Sequence, residues 1–236
     1  MGATKPESMF GKVRGAVRKV LLRAGFWTDP YAVAAAKAGY QDVNDFLEFS
    51  AGNMARTAMA ELFSHDIIGL RSGKLLEVGA RTGRYTREIV KYVPGEVQIV
   101  ALESLPVSCF GLEKYAARWG NVTVVQGDIF ANKFAEGEFD RVLIPWFDMT
   151  MSLHRWGRLL RVAARLLKRG GLLAFDFMDS QDRLLEVLAI ESNSPYFLVN
   201  GGDLEAIARH LGLTKVLEFG VRFNEQIAKY HVYRKG

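Results

Sequence analysis

The chain has 236 residues, 49% of them hydrophobic, a single cysteine and a formal net charge of +5. That is enough apolar material to bury a full core as one domain with an appendage, and enough length for an enzyme. One cysteine excludes an internal disulfide, and no window approaches the roughly 20 uncharged apolar residues of a helical membrane span, so the expectation is a cytoplasmic protein, soluble or peripheral at a membrane.

The charge is concentrated at the start. Lys5, Lys12, Arg14, Arg18, Lys19 and Arg23 against Glu7 equal the net charge of the whole chain, which leaves the remainder balanced. Within this segment Phe10, Val13, Val17, Val20, Leu21 and Ala24 keep helical spacing, with the basic residues largely on the other face. Residues 9–27 therefore read either as a helix packed across the domain or as a basic amphipathic helix on an anionic membrane, with Phe26 and Trp27 near the headgroups. Glu7 and the lack of a serine-rich stretch argue against an organelle presequence, and Gly11 and Gly15 weaken the isolated helix. Further helices are expected over Pro30–Ala38, Asp42–Phe49 and Met54–Ile68, so that residues 1–72 form a helical cap. Tyr40, Asn53 and Arg56 are its candidates for closing over a ligand.

From residue 73 to 236 strands and helices alternate, as in a parallel sheet built from βαβ units. Lys74–Val78 is a short apolar run, Gly79 and Gly83 bracket a turn, and Tyr85, Ile89 and Val90 carry the spacing of a helix packed on a sheet. Glycines there let a ligand approach the backbone, and the free amides of a helix's first turn favour polar or anionic groups. A second strand, Val97–Leu102, ends in Glu103, an acid placed to accept from both hydroxyls of a ribose; a third, Val122–Gln126, ends in Gly127-Asp128. Next come a strand over Phe139–Ile144 and a helix over Leu153–Leu167, closed by Lys168-Arg169-Gly170-Gly171 as a basic last turn and glycine stop. A fifth strand covers Leu172–Phe177, an irregular segment runs over 178–201, and a helix spans Asp203–His210. The last two strands, Lys215–Phe223 and Gln226–Tyr233, are separated only by Asn224-Glu225 and must pair antiparallel.

Three strand ends carrying glycines, then an acid, then Gly-Asp, followed by a terminal hairpin, resemble the class I methyltransferases that use S-adenosylmethionine, over roughly Leu70 to the C-terminus. The resemblance implies an α/β fold: a seven-stranded, mostly parallel sheet with helices on both faces, an antiparallel C-terminal hairpin and an N-terminal helical cap. It also implies that Glu77 and the turn residues Gly79, Ala80, Arg81 and Gly83 hold the methionine part of the cofactor. Glu103, with Ser104 beside it, would bind the ribose, and Asp128, with Ile129, the adenine. Pro145 and Trp146 end the fourth strand, where an aromatic ring can face the sulfonium. Two positions depart from the family pattern. Arg81 replaces the central glycine of the turn, and the strand-four end, Ile144-Pro145-Trp146-Phe147-Asp148, lacks the Asn or Asp that would accept from a nucleobase amine.

Methyl transfer needs alignment more than functional groups, because the cofactor already carries an activated methyl. A hydroxyl acceptor gains from a general base, and Asp148 and His154 are the candidates near the strand-four end. Asp148 with Asp176 and Asp179 resembles the magnesium site of catechol-type methyltransferases, but the neighbouring Asn is missing, so no metal is expected. Cys109 sits beside Phe110 and Leu112 and reads as core packing. The leading reading is an enzyme methylating oxygen or nitrogen of a small, amphiphilic or lipid-like acceptor. The alternatives are a methyltransferase-fold scaffold that binds cofactor weakly, which Arg81 suggests, and a protein or RNA methyltransferase. Nucleic acid is the less supported partner, since no second basic cluster with interleaved aromatics stands out after residue 70.

Overall fold

The apolar run after Gly73 becomes the centre of the molecule. A computed structural model describes residues 54–65, 68–145, 151–177, 179, 199–223 and 226–236. Its elements are α1 (Met54–Ser64), β1 (Gly73–Val78), α2 (Arg84–Ile89), β2 (Val97–Glu103), α3 (Pro106–Ala116), β3 (Val122–Gln126), a 3-10 turn (Ile129–Ala131), β4 (Phe139–Ile144), α4 (Leu153–Leu166), β5 (Leu167–Phe177), α5 (Gly201–His210), β6 (Leu213–Phe223) and β7 (Gln226–Lys235). They build one seven-stranded sheet in the order β3-β2-β1-β4-β5-β7-β6. The first five strands run parallel, while β7 is antiparallel to both β5 and β6.

Each face of the sheet is covered. Leu76, Val78, Val142, Ile144, Leu173 and Phe175 pack under α4 and α5 with Trp156, Leu159, Leu160 and Leu204. Leu75, Ile99, Leu143 and Val232 pack against α1 and α2 through Ala58, Met59, Leu62 and Ile89. Alternation along β1 thus sends neighbouring leucines to opposite cores, the pattern of a strand buried on both faces. The hairpin is in register at its tip, Phe223 opposite Gln226, so the two-residue connection read from the sequence holds; Asn224 and Glu225 themselves lie outside the described residues.

The structure corrects several element boundaries. β5 begins at Leu167, immediately after α4, so Lys168-Arg169-Gly170-Gly171 is strand rather than helix stop, and Arg165 is the basic residue of the last helical turn. Leu166 and Leu167 have no exposed surface, so the chain reverses inside the core without a polar linker. The extra residues are absorbed by an irregularity in which Leu167 pairs with Phe139 and Leu172 with Arg141. Gly170 has φ 73° there, and Lys168 Nζ donates to Asp140 Oδ2 at 2.8 Å. α1 ends at Ser64, four residues before Ile68, with Ser64 Oγ donating to the Glu61 carbonyl at 2.7 Å. α5 starts two residues before Asp203 because Asn200 Oδ1 caps it by accepting from Gly202 N at 2.7 Å. The expected cap over 1–72, with Tyr40 and Asn53, lies mostly outside the described residues, whereas most of 73–236 is described.

Candidate functional site

In open α/β sheets ligands lie beyond the carboxyl ends of the strands, and the residues singled out from the sequence gather at those of β1, β2 and β3. The turn after β1 is held against β2: Gly79 N and Ala80 N both donate to the Leu102 carbonyl, at 2.9 and 3.0 Å. Gly79 has φ 76° and Gly83 φ 90°. A Cβ on Gly83 would meet Leu112 Cδ1 at 2.5 Å, so that position has neither the backbone nor the space for a side chain.

Arg81 also has positive φ, 49°, and among the described residues it is the only non-glycine that does. The backbone therefore keeps the left-handed conformation a glycine adopts freely, at an expected cost of about 1 kcal/mol. Its amide is held in place, because Arg81 N donates to Glu103 Oε2 at 2.7 Å. Glu103 is buried at the end of β2, and its other oxygen, Oε1, accepts from Leu105 N at 2.8 Å. Ser104 is exposed beside it, with Oγ 3.4 Å from Oε1. A carboxylate offers about four lone-pair directions, and these bonds fix its plane while leaving acceptor capacity on both oxygens. Asp128 is exposed and caps the 3-10 turn, Oδ1 accepting from Phe130 N at 2.9 Å, while Ile129 is buried beneath.

Glu77 has no solvent exposure. Thr86 Oγ1 donates to its Oε2 at 2.6 Å, and Oε1 has no hydrogen-bond partner. Burial, with the Glu103 charge adding, pushes its pKa up to about 7. Two further unpaired polar atoms lie nearby. The hydroxyls of Tyr85, in the first turn of α2, and of Tyr230, opposite Asp176 on β7, approach each other without a hydrogen bond of normal geometry. Burial and the Asp176 charge hold both phenols well above their ordinary range, so both stay neutral. Asp176 itself is buried one residue before the end of β5. Sequence reasoning noted Asp176 only in connection with a metal and took Tyr85 as packing; Tyr230 joins them through the β5–β7 register, which no local pattern announces.

Other expected residues are dispersed or not described. Pro145 is buried just after β4; Trp146 and Asp148 lie outside the described residues. His154 is exposed on the first turn of α4 and lines a groove with residues of α5. No metal-binding cluster occurs among the described residues. Cys109 is buried in α3, and burial pushes its thiol up to about 11, so it is packing, as its neighbours suggested.

Residues 75–171, which contain this turn and all three strand ends, match the family described as a methyltransferase domain. Over this stretch, which is less than half of the chain, the sequence is similar to methyltransferase domains. Solved structures agree on the fold. A methyltransferase from Haloferax volcanii, in complex with the Trm112 methyltransferase activator, superposes with a TM-score of 0.67 at 13% identity, over 88% of this chain and 98% of that one. The geranyl diphosphate C-methyltransferase of Streptomyces coelicolor A3(2), in complex with Mg2+, geranyl diphosphate and S-adenosyl-L-homocysteine, gives 0.61 at 11%, over 76% and 79%. A S-adenosylmethionine-dependent methyltransferase of Methanosarcina mazei gives 0.60 at 11%, over 71% and 94%. No curated protein matches the sequence.

Proposed function

We propose that the chain is an S-adenosylmethionine-dependent methyltransferase that transfers a methyl group to an oxygen or nitrogen of a small or amphiphilic molecule. The carrying observation is the set of three buried, unpaired polar atoms, Glu77 Oε1 and the Tyr85 and Tyr230 hydroxyls, at the carboxyl ends of β1 and β5. A buried polar group without a partner costs about 1–3 kcal/mol, so three together suit a site completed by polar ligand groups.

The residues present fit the cofactor, which when bound supplies an electrophilic methyl group. Glu77 and the turn from Gly79 through Ala80 and Arg81 to Gly83 would hold its amino-acid end, Glu103 with Ser104 the ribose, and Asp128 with Ile129 the adenine. Pro145 closes the strand-four side, and Trp146 would face the sulfonium. On the acceptor side Tyr85 and Tyr230 would orient a hydroxyl or amine toward Asp176, whose buried charge favours a hydrogen-bond donor. Asp148 and His154 are the proposed proton acceptors. Residues 9–27 are proposed to contact an anionic membrane surface, which suits an amphiphilic acceptor.

The test is transfer of radiolabelled methyl from S-adenosylmethionine to a panel of small alcohols, phenols, amines and dispersed lipids, with total RNA and protein extract alongside. The proposal expects a product in the first group whose KM rises in Tyr85→Phe and Tyr230→Phe. Labelling of RNA or protein alone would overturn it.

A further inference from the structure

α4 carries Arg155, Arg158, Arg161 and Arg165 and not one acid. Among the described residues none of the four has a carboxylate partner: Arg165 reaches the Phe134 carbonyl at 3.4 Å, and the guanidiniums of Arg158 and Arg155 lie 4.9 and 5.9 Å from the centre of the Phe130 ring. Of the two acids on the neighbouring helix α5, Glu205 is already engaged by Arg209 at 3.2 Å and Lys215 at 2.6 Å, and Asp203 lies in the first turn. Between the two helices runs a groove of about 640 Å³. Its lining is partly apolar, from Leu153, Gly157, Ala206, Ile207 and Leu211, and partly polar, from Arg158, Arg161, His154 and His210. The linear sequence hides this second basic cluster because its members are three and four residues apart, and only the helix brings them to one face.

We propose that the α4–α5 groove docks an anionic phospholipid at a membrane surface, with Arg158 and Arg161 taking the phosphate and the apolar lining taking the first methylenes of the chain. A lining in which apolar side chains and guanidiniums adjoin matches an amphiphile in which charge and hydrocarbon adjoin. A nucleic acid backbone has no use for such apolar lining, and the aromatic ring at this face, Phe130, is occupied by guanidiniums rather than offered to bases. Leu153, a lining residue that is 40% exposed, is an apolar side chain that contact with lipid would bury. The proposal does not depend on the identity of the methyl acceptor.

The test is co-sedimentation of the full chain with extruded vesicles of phosphatidylcholine containing about one third phosphatidylglycerol, at about 0.1 M salt. Arg158→Glu combined with Arg161→Glu is expected to weaken vesicle partition by more than about tenfold, each basic residue at an anionic surface being worth about 1 kcal/mol. Lys114→Glu with Arg118→Glu, the same charge change on α3 and just beyond it, is expected to weaken it by less than about threefold. Equal loss from both pairs would overturn the proposal, as would failure of the unaltered chain to sediment with vesicles. Binding of a 20-residue single-stranded oligonucleotide that falls with the α4 pair while vesicle binding does not would assign the groove to nucleic acid instead. Should the reversed pair melt without a cooperative transition, Arg158→Gln with Arg161→Gln replaces it, with a loss of more than about threefold expected.

Discussion

Arg81 and Glu77 carry unfavourable terms that the fold tolerates at its site. Arg81 holds positive φ where glycine would be unstrained, so Arg81→Gly should raise stability by about 0.5–1 kcal/mol, read as a higher denaturation midpoint, with S-adenosylhomocysteine affinity little changed. Lower stability in this variant would show that the side chain's own contacts outweigh the backbone cost. For Glu77 the folded pKa is raised to about 7 against an ordinary 4.5. Between those values the folded chain keeps a proton that the unfolded chain releases, so stability falls as pH rises through the window, by up to about 3 kcal/mol. Urea unfolding at about pH 5 and about pH 7.5 should show that this slope is smaller in Glu77→Gln; identical slopes would contradict the assignment. Both residues were legible in the sequence as site candidates, because strand ends and glycine spacing are local signals. Their electrostatics were not, because the burial that raises Glu77 comes from elements far along the chain.

The element most constrained by the site is the turn from β1 into α2. Gly83→Ala must strain φ 90° and displace Leu112, so a loss of about 1–3 kcal/mol is expected. The same reasoning applies where α4 runs directly into β5: a Cβ on Gly171 would meet the Lys168 carbonyl at 2.9 Å and the Asp140 carbonyl at 3.1 Å. Gly171→Ala should therefore lower the denaturation midpoint, whereas Gly170→Ser, with open space but φ 73°, should cost only the backbone strain of about 1 kcal/mol. Equal effects would show that the irregularity relaxes around the new atom. β3 and β4 match their sequence bounds, because apolar runs stop at Gly127 and Pro145. β5 does not, because its first residues look like a helix stop, and only the full burial of Leu166 and Leu167 shows that no loop intervenes.

At the scale of the whole molecule the strand directions were readable, because alternating strands and helices imply the parallel part and a two-residue connection dictates the hairpin, whereas the order β3-β2-β1-β4-β5-β7-β6 was not. What could not be read is the buried meeting of Tyr85, Asp176 and Tyr230, drawn from three separate elements, and the gathering of arginines on α4. Both depend on register or helical phase rather than on any motif. The central claim is that the ends of β1, β2 and β3 form one cofactor site. The most direct test is calorimetric titration of the full chain with S-adenosylhomocysteine, beside Glu103→Ala and Asp128→Ala. The account predicts micromolar binding by the unaltered chain, weakened at least about tenfold in each variant, the loss expected for a charge-assisted hydrogen bond of about 1.5–3 kcal/mol. A folded chain that releases no heat with the ligand, or variants that bind as tightly as the parent, would contradict it.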